Sequence, residues 1–123
     1  MLLKNTVKAF HLLLKQGKML ESIEHFYDEN VQVQENNEPP RIGKALALKT
    51  ESDNLKRIDT MTVKLKNVVM DTKQGLVLGE MQIDFENKKG EKKRLNEAFV
   101  QHWKDGKIIF ERFYYSGFEN LNN

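Results

Sequence analysis

Few side chains in this sequence could do chemistry, and none forms a strong catalytic signature. Glu35 could act as a general base at a pocket mouth; beside Asn36 and Asn37 its plainer reading is a solvated loop residue. Glu97 and Arg112 are more informative. They fall on neighbouring predicted strands, on one face, one residue pair out of register, and such charges are costly to bury unless paired. They either anchor a polar or anionic ligand or form a structural ion pair. Gln101 and Tyr114 on that face could hydrogen-bond a ligand, or satisfy each other or the backbone. His11, His25 and His102 lack a metal spacing such as His-Glu-x-x-His, so no metal is expected. His102 and Glu111 read as an outer-face pair rather than a catalytic dyad, because no nucleophile accompanies them. Gly75-x-x-x-Gly79 lacks the ending of a phosphate loop. No cofactor is expected.

These residues depend on the stretch from Gly75 to Gly117, which reads as three successive antiparallel strands. Asp105-Gly106 between apolar runs is a strong signal for a tight hairpin, since a type I′ turn needs positive φ at both central positions. A regular ladder from that turn sets Trp103 opposite Ile108, Gln101 opposite Phe110, Phe99 opposite Arg112 and Glu97 opposite Tyr114. One face then carries all eight of these residues. The other carries Ala98, Val100, His102, Ile109, Glu111, Phe113 and Tyr115. Both faces are largely apolar, so both should be covered, one by helices and the other by a partner subunit or the curl of the sheet.

The preceding chain supplies the helices. Thr6 to Gln16 repeats apolar residues at helical spacing and ends at Gly17; Met19 to Tyr27 is a second short helix. Val31 to Gln34 alternates as a strand, and Pro39-Pro40 marks a loop. Ile42 to Lys56 is a third helix with a weak stripe at Ile42, Ala45, Leu46 and Leu55. In Ile58 to Asp71 the apolar phase changes between Leu65 and Val68, which predicts a β-bulge. The polar tail, residues 118–123, is expected to fray. The order α-α-β-α-β-β-β-β indicates a single α+β domain over residues 1–123. Its strongly curved, mixed or antiparallel sheet would form a cone with the three helices on its concave face.

The 123 residues suffice for one core, with 39% hydrophobic and 31% charged residues. A formal charge of +2 gives no footprint for nucleic acid, and no run is long enough to span a bilayer. The basic run Lys88, Lys89, Lys92, Lys93, Arg94 is interleaved with Glu86 and Glu91 and reads as a solvated strand edge. With no cysteine there is no disulfide or thiol chemistry. The start lacks a continuous apolar core, so the chain is expected to be cytoplasmic.

Three short motifs carry a family resemblance: Phe26-Tyr27-Asp28-Glu29-Asn30-Val31 before the first strand, Arg41-Ile42-Gly43 opening the third helix, and Trp103-Lys104-Asp105-Gly106-Lys107-Ile108 at the last hairpin. Together with the element order they resemble the SnoaL-like branch of the nuclear-transport-factor-2-like superfamily, which includes the ketosteroid isomerases. The resemblance implies the cone fold but no single activity. It places Glu35 near the isomerases' carboxylate base, allowing one inserted residue. It places Phe10 and Phe99 where their oxyanion-binding Tyr and Asp would stand, and Phe113 where the cyclases carry an acid. A phenyl ring cannot donate to an oxyanion, so ketosteroid isomerase chemistry is not expected. The resemblance also implies a homodimer through the outer sheet face, with Val100, His102, Ile109 and Phe113. The expected function is binding of a small, largely apolar molecule in a pocket of Phe10, Tyr27, Phe99, Gln101, Trp103, Arg112 and Tyr114. Its alternatives are a cofactor-free isomerase, cyclase or hydrolase using Glu35, or Glu97 with Arg112, and a protein-interaction module with a filled cavity.

Overall fold

The computed structural model describes residues 2–122. Helix α1 (Leu3–Lys15) buries Thr6, Val7, Phe10, His11 and Leu14 along one stripe. It stops at Gly17, where φ is +73° and the N–H groups of Gly17 and Lys18 bond back to Leu14 and Leu13. Helix α2 (Met19–Phe26) leads directly into β1 (Tyr27–Glu35). A two-residue strand, β2 (Arg41–Ile42), pairs with β1 before α3 (Lys44–Leu55). Only Ala47 of α3 is fully buried, with Leu48 and Leu55 packed behind it. Ile42 and Leu46, expected on the packed stripe, are exposed. Lys, Thr, Ser and Asp dilute every face of this helix, so its sequence pattern cannot point to the core.

The remaining strands are β3 (Ile58–Asp71), β4 (Leu76–Asn87), β5 (Lys92–Lys104), β6 (Lys107–Tyr114) and β7 (Phe118–Asn120). The sheet runs β2-β1-β6-β5-β4-β3 and is mixed, because β1 lies parallel to β6. It does not close, and the helices contact its concave side through β1, β3 and β6. Residues 118–120, expected to fray, instead continue the edge of β6 as β7, pairing with Lys93 to Leu95 of β5. Phe118 lies edge-on to Phe85, and that contact anchors the segment.

Two of the sheet's register shifts bear on which residues line the cone. The bulge expected in β3 is present between Leu65 and Asn67. A second one was not expected. The hairpin turn at Asp105-Gly106 has the positive φ values of a type I′ turn, and Trp103 does face Ile108. The next pair, however, is His102 with Phe110, so Ile109 is an extra residue in β6. Beyond it Gln101 faces Glu111, Val100 faces Arg112 and Phe99 faces Phe113. One added residue exchanges the two faces of a strand. Glu111, Phe113 and Tyr115 therefore look into the cone, while Phe110, Arg112 and Tyr114 look out.

Across the concave side the register aligns Met70, Val77, Gln101, Glu111 and Val33 in one row, and Val68, Gly79, Phe99, Phe113 and Glu35 in the next. Gly79 is the tight point of the second row. A Cβ there would stand 2.6 Å from the Asn67 carbonyl and 2.6 Å from the Phe99 ring. Gly79→Ala should therefore push the ring or bend β3, at a cost of about 1–3 kcal/mol. Urea unfolding checks this; an unchanged midpoint would mean that Phe99 is not held against the sheet.

Candidate functional site

A cavity of about 400 Å³ opens between the sheet and the helices, within the usual range for small-molecule sites. Its walls are mostly apolar, with Phe10, Ile23, Met61, Met81, Phe99 and Phe113 among them. Below it Phe10, Phe26 and Trp103 meet edge to face, with ring centroids 5.6–6.1 Å apart, and close the narrow end.

Polar groups stand on this apolar base in a definite order. The Trp103 indole donates to Gln101 Oε1 at 3.1 Å. The Gln101 amide donates to Glu111 Oε2 at 2.6 Å, and the Tyr27 hydroxyl donates to Glu111 Oε1. Both carboxyl oxygens of Glu111 are thus occupied, and the residue is 1% exposed. Trp103 fixes which end of the Gln101 amide faces the acid. Burial pushes Glu111 up to about 7, against the pull of its two donors. Burial, and then Glu111, raise Tyr27 well above the ordinary tyrosine value, so its hydroxyl keeps its proton.

Glu97 differs. It lines the cavity from β5, is 9% exposed, and has no hydrogen-bond partner among the described residues. Burial first, then the charges of Glu111, Glu35 and Glu51, push it up to about 8. Glu51 of α3 lines the same cavity, has no hydrogen-bond partner among the described residues, and is raised by burial and then by Glu35. At the mouth Arg41 Nη1 donates to Glu35 Oε2 at 2.9 Å, and Tyr115 is raised by burial and by Glu35 beside it. No group of three His, Asp or Glu side chains among the described residues is placed to hold a metal ion.

Of the residues expected to form the site, Phe10, Tyr27, Glu35, Glu97, Phe99 and Gln101 line the cavity. Trp103 does not; it lies beneath, supporting Gln101. Arg112 and Tyr114 are outside because of the bulge at Ile109. Arg112 donates to the Asn36 carbonyl at 3.0 Å and to Asn37 at 2.9 Å, and stacks 4.6 Å from the Tyr114 ring centre. There is no Glu97–Arg112 pair. His102 packs on Phe110, while Glu111, its expected partner, is on the opposite face. Phe113, expected on the outer surface, is a cavity wall. Sequence reasoning missed Glu111, Glu51, Arg41 and Tyr115 as site residues. The only signal for Glu51 was its place one turn after Ala47.

Residues 1–115 match the family model of the SnoaL-like domain. The chain belongs to this family. Three solved structures share the SnoaL-like fold. One, from Mesorhizobium loti, is provisionally assigned as a SnoaL-like polyketide cyclase; it is 23% identical, with a TM-score of 0.78 over 94% of this chain and 100% of its own. An epoxide hydrolase of the LEH-like type from M. tuberculosis is 16% identical, with a TM-score of 0.74 over 91% and 80%. A provisionally assigned isomerase from Bacillus subtilis is 23% identical, with a TM-score of 0.72 over 91% and 84%. No curated protein matches the sequence significantly. These likenesses establish the cone and leave the activity to the site itself.

The buried acids set a pH signature. Native Glu97 holds its proton from its ordinary value of 4.5 up to about 8, whereas the unfolded chain releases it near 4.5. The native state therefore binds more protons in that window, and stability falls as pH rises through it. Glu97→Gln removes this slope. It should gain roughly 2–4 kcal/mol on the wild type between pH 5 and pH 8. Paired urea titrations across that range check it, and a constant difference would place Glu97 in contact with water.

Proposed function

We propose that this SnoaL-like protein binds a small, largely apolar organic molecule in its cone, with Glu97 as the polar anchor. The observation that carries this reading is Glu97 itself: a nine-tenths buried acid that lines a 400 Å³ cavity and has no hydrogen-bond partner among the described residues. Buried polar groups without partners are rare, and a ligand is the economical partner here. An open cavity of this size also argues against a filled interaction module.

A second reading, cofactor-free proton transfer on the bound molecule, is favoured by the contrast between the two acids. Glu97 keeps its proton at neutral pH and can give it to a ligand atom. Glu111 acts behind it as a positioning residue, holding Tyr27 and Gln101 in fixed orientations. The structural neighbours named as a cyclase, a hydrolase and an isomerase are compatible with such chemistry.

Met81 stands beside Glu97 in the ladder and lines the cavity, so Met81→Trp should plug it. A compound present at a hundred times its Kd should stabilise the wild type by about 2.7 kcal/mol and leave the plugged variant unaffected. A library in which no compound raises the wild-type melting temperature, or all do so equally in the variant, defeats the binding reading. Where turnover is found, Glu97→Gln should lower kcat by roughly 100-fold or more while still binding.

We also propose homodimerisation through the outer sheet face. Val69, Leu78, Ile109 and Tyr114 expose apolar surface there, with Val100 half-buried among them and Phe113 absent. Sedimentation should give twice the monomer mass of 14.4 kDa; a monomer at micromolar concentration removes this assembly.

A further inference from the structure

The cavity's charge is lopsided. Glu35, Glu51, Glu97 and Glu111 line it, and the only cations among its lining residues are Arg41 and Arg57. Arg41 donates to Glu35 through Nη1 at 2.9 Å while its Nε is buried without a partner among the described residues, and Arg57 is exposed after the end of α3. The other titratable groups facing the space are the hydroxyls of Tyr27 and Tyr115, which keep their protons. Glu111 has both oxygens filled. Two carboxyls of the lining, Glu97 on the sheet and Glu51 on α3, have no hydrogen-bond partner among the described residues, and the charge of Glu51 reaches Glu97.

Different ligand head groups meet this arrangement differently. A ligand carboxylate could accept from a protonated Glu97 or from Arg41 Nε, but would stand among the like charges of Glu35 and Glu51. A carbonyl could accept from a protonated Glu97 but would leave Glu51 unsatisfied. A protonated amine brings up to three donors and a compensating charge, and can serve both walls. The aromatic faces of Phe99 and Phe113 suit a cation as well. No group of three His, Asp or Glu side chains among the described residues is placed to chelate a metal ion, so the cation considered is organic. We propose that the ligand of this cone is an apolar amine, whose ammonium lies between Glu97 and Glu51 and whose hydrocarbon body fills the aromatic part of the cavity. This rests on the binding reading above and names its chemical class.

An ammonium beside Glu97 favours the carboxylate. Without a ligand Glu97 holds a proton at neutral pH, so amine binding at pH 7 should release roughly one proton per ligand. The test is calorimetry with matched compounds: phenylbutyl, naphthylethyl and decyl amines, with the alcohol, methyl ketone and carboxylic acid of each body. Titrations run in two buffers of different ionisation enthalpy. At least one amine should bind about ten-fold or more tighter than its alcohol and ketone, with proton release, and the acids should not bind. Glu97→Gln should abolish the release and weaken the amine by a similar factor; Glu51→Gln should weaken the amine and keep the release. Thermal unfolding of both variants verifies that they are folded. A ketone or alcohol that binds as tightly as its amine overturns the inference and leaves the binding reading standing. Amine binding that Glu97→Gln does not change overturns it too. Failure of every panel member also overturns it, and the Met81→Trp comparison then decides separately whether the cone binds anything.

Discussion

The residue on which the site depends is Ile109, which makes no ladder pair of its own. Side chains on a strand alternate with period two, so a single inserted residue reverses inside and outside for everything that follows. Without the insertion Arg112 and Tyr114 would enter the cone and Glu111 would face outward. With it, the cone receives an acid and two aromatic residues, and the arginine is left at the rim. There Arg112 ties the chain after β1 to β6 through Asn36 and Asn37. The bulge thus determines both the chemistry of the cavity and the closure of its mouth.

An inward acid must be stabilised, and the means differ for the two on the sheet. Glu111 is embedded in a chain of donors that begins at the aromatic floor: Trp103 orients Gln101, Gln101 donates to Glu111, and Tyr27 donates from β1. Every member is buried and satisfied, which is the condition under which a polar network makes a core specific rather than weak. Glu97 has no such support. It remains buried because it can stay neutral, and its neutrality depends on the acids around it as well as on the apolar wall. The pair therefore divides one chamber into a rigid, internally satisfied end and an open, unsatisfied one. On the binding reading proposed above, a ligand's polar group belongs at the second.

The sequence revealed the order of the three helices and the five longer strands, though not β2 or β7, together with the helix stop at Gly17, the turn at Asp105-Gly106 and the bulge in β3. That bulge was legible because the apolar phase changes there, from Val63 and Leu65 to Val68 and Met70. The bulge in β6 was not legible because both phases of Ile108 to Tyr115 are equally apolar. Ile108 and Phe110 look as suitable for a core as Ile109 and Phe113. In the β5 half of the hairpin, Glu97, Phe99, Gln101 and Trp103 point inward as expected, since no insertion separates them. Glu111 was harder still, because its two donors come from β1 and β5 and neither is near in sequence. A charged residue looks outward by default until such partners are known.

Phe99 and Phe113 occupy the positions at which the resemblance places acids, and they face each other across β5 and β6. The acids of this chain stand one inward step away, Glu97 two residues before Phe99 and Glu111 two residues before Phe113 on the same faces. A step of two preserves orientation, so a strand can shift its polar group by about 7 Å along the wall without altering the fold. Because β5 and β6 are antiparallel, the two displacements run in opposite directions: Glu97 moves toward the mouth and Glu111 toward the floor. Phe99 and Phe113 fill the space between them. The two rings thus stand on one wall between the satisfied network of Glu111 and the carboxyl of Glu97.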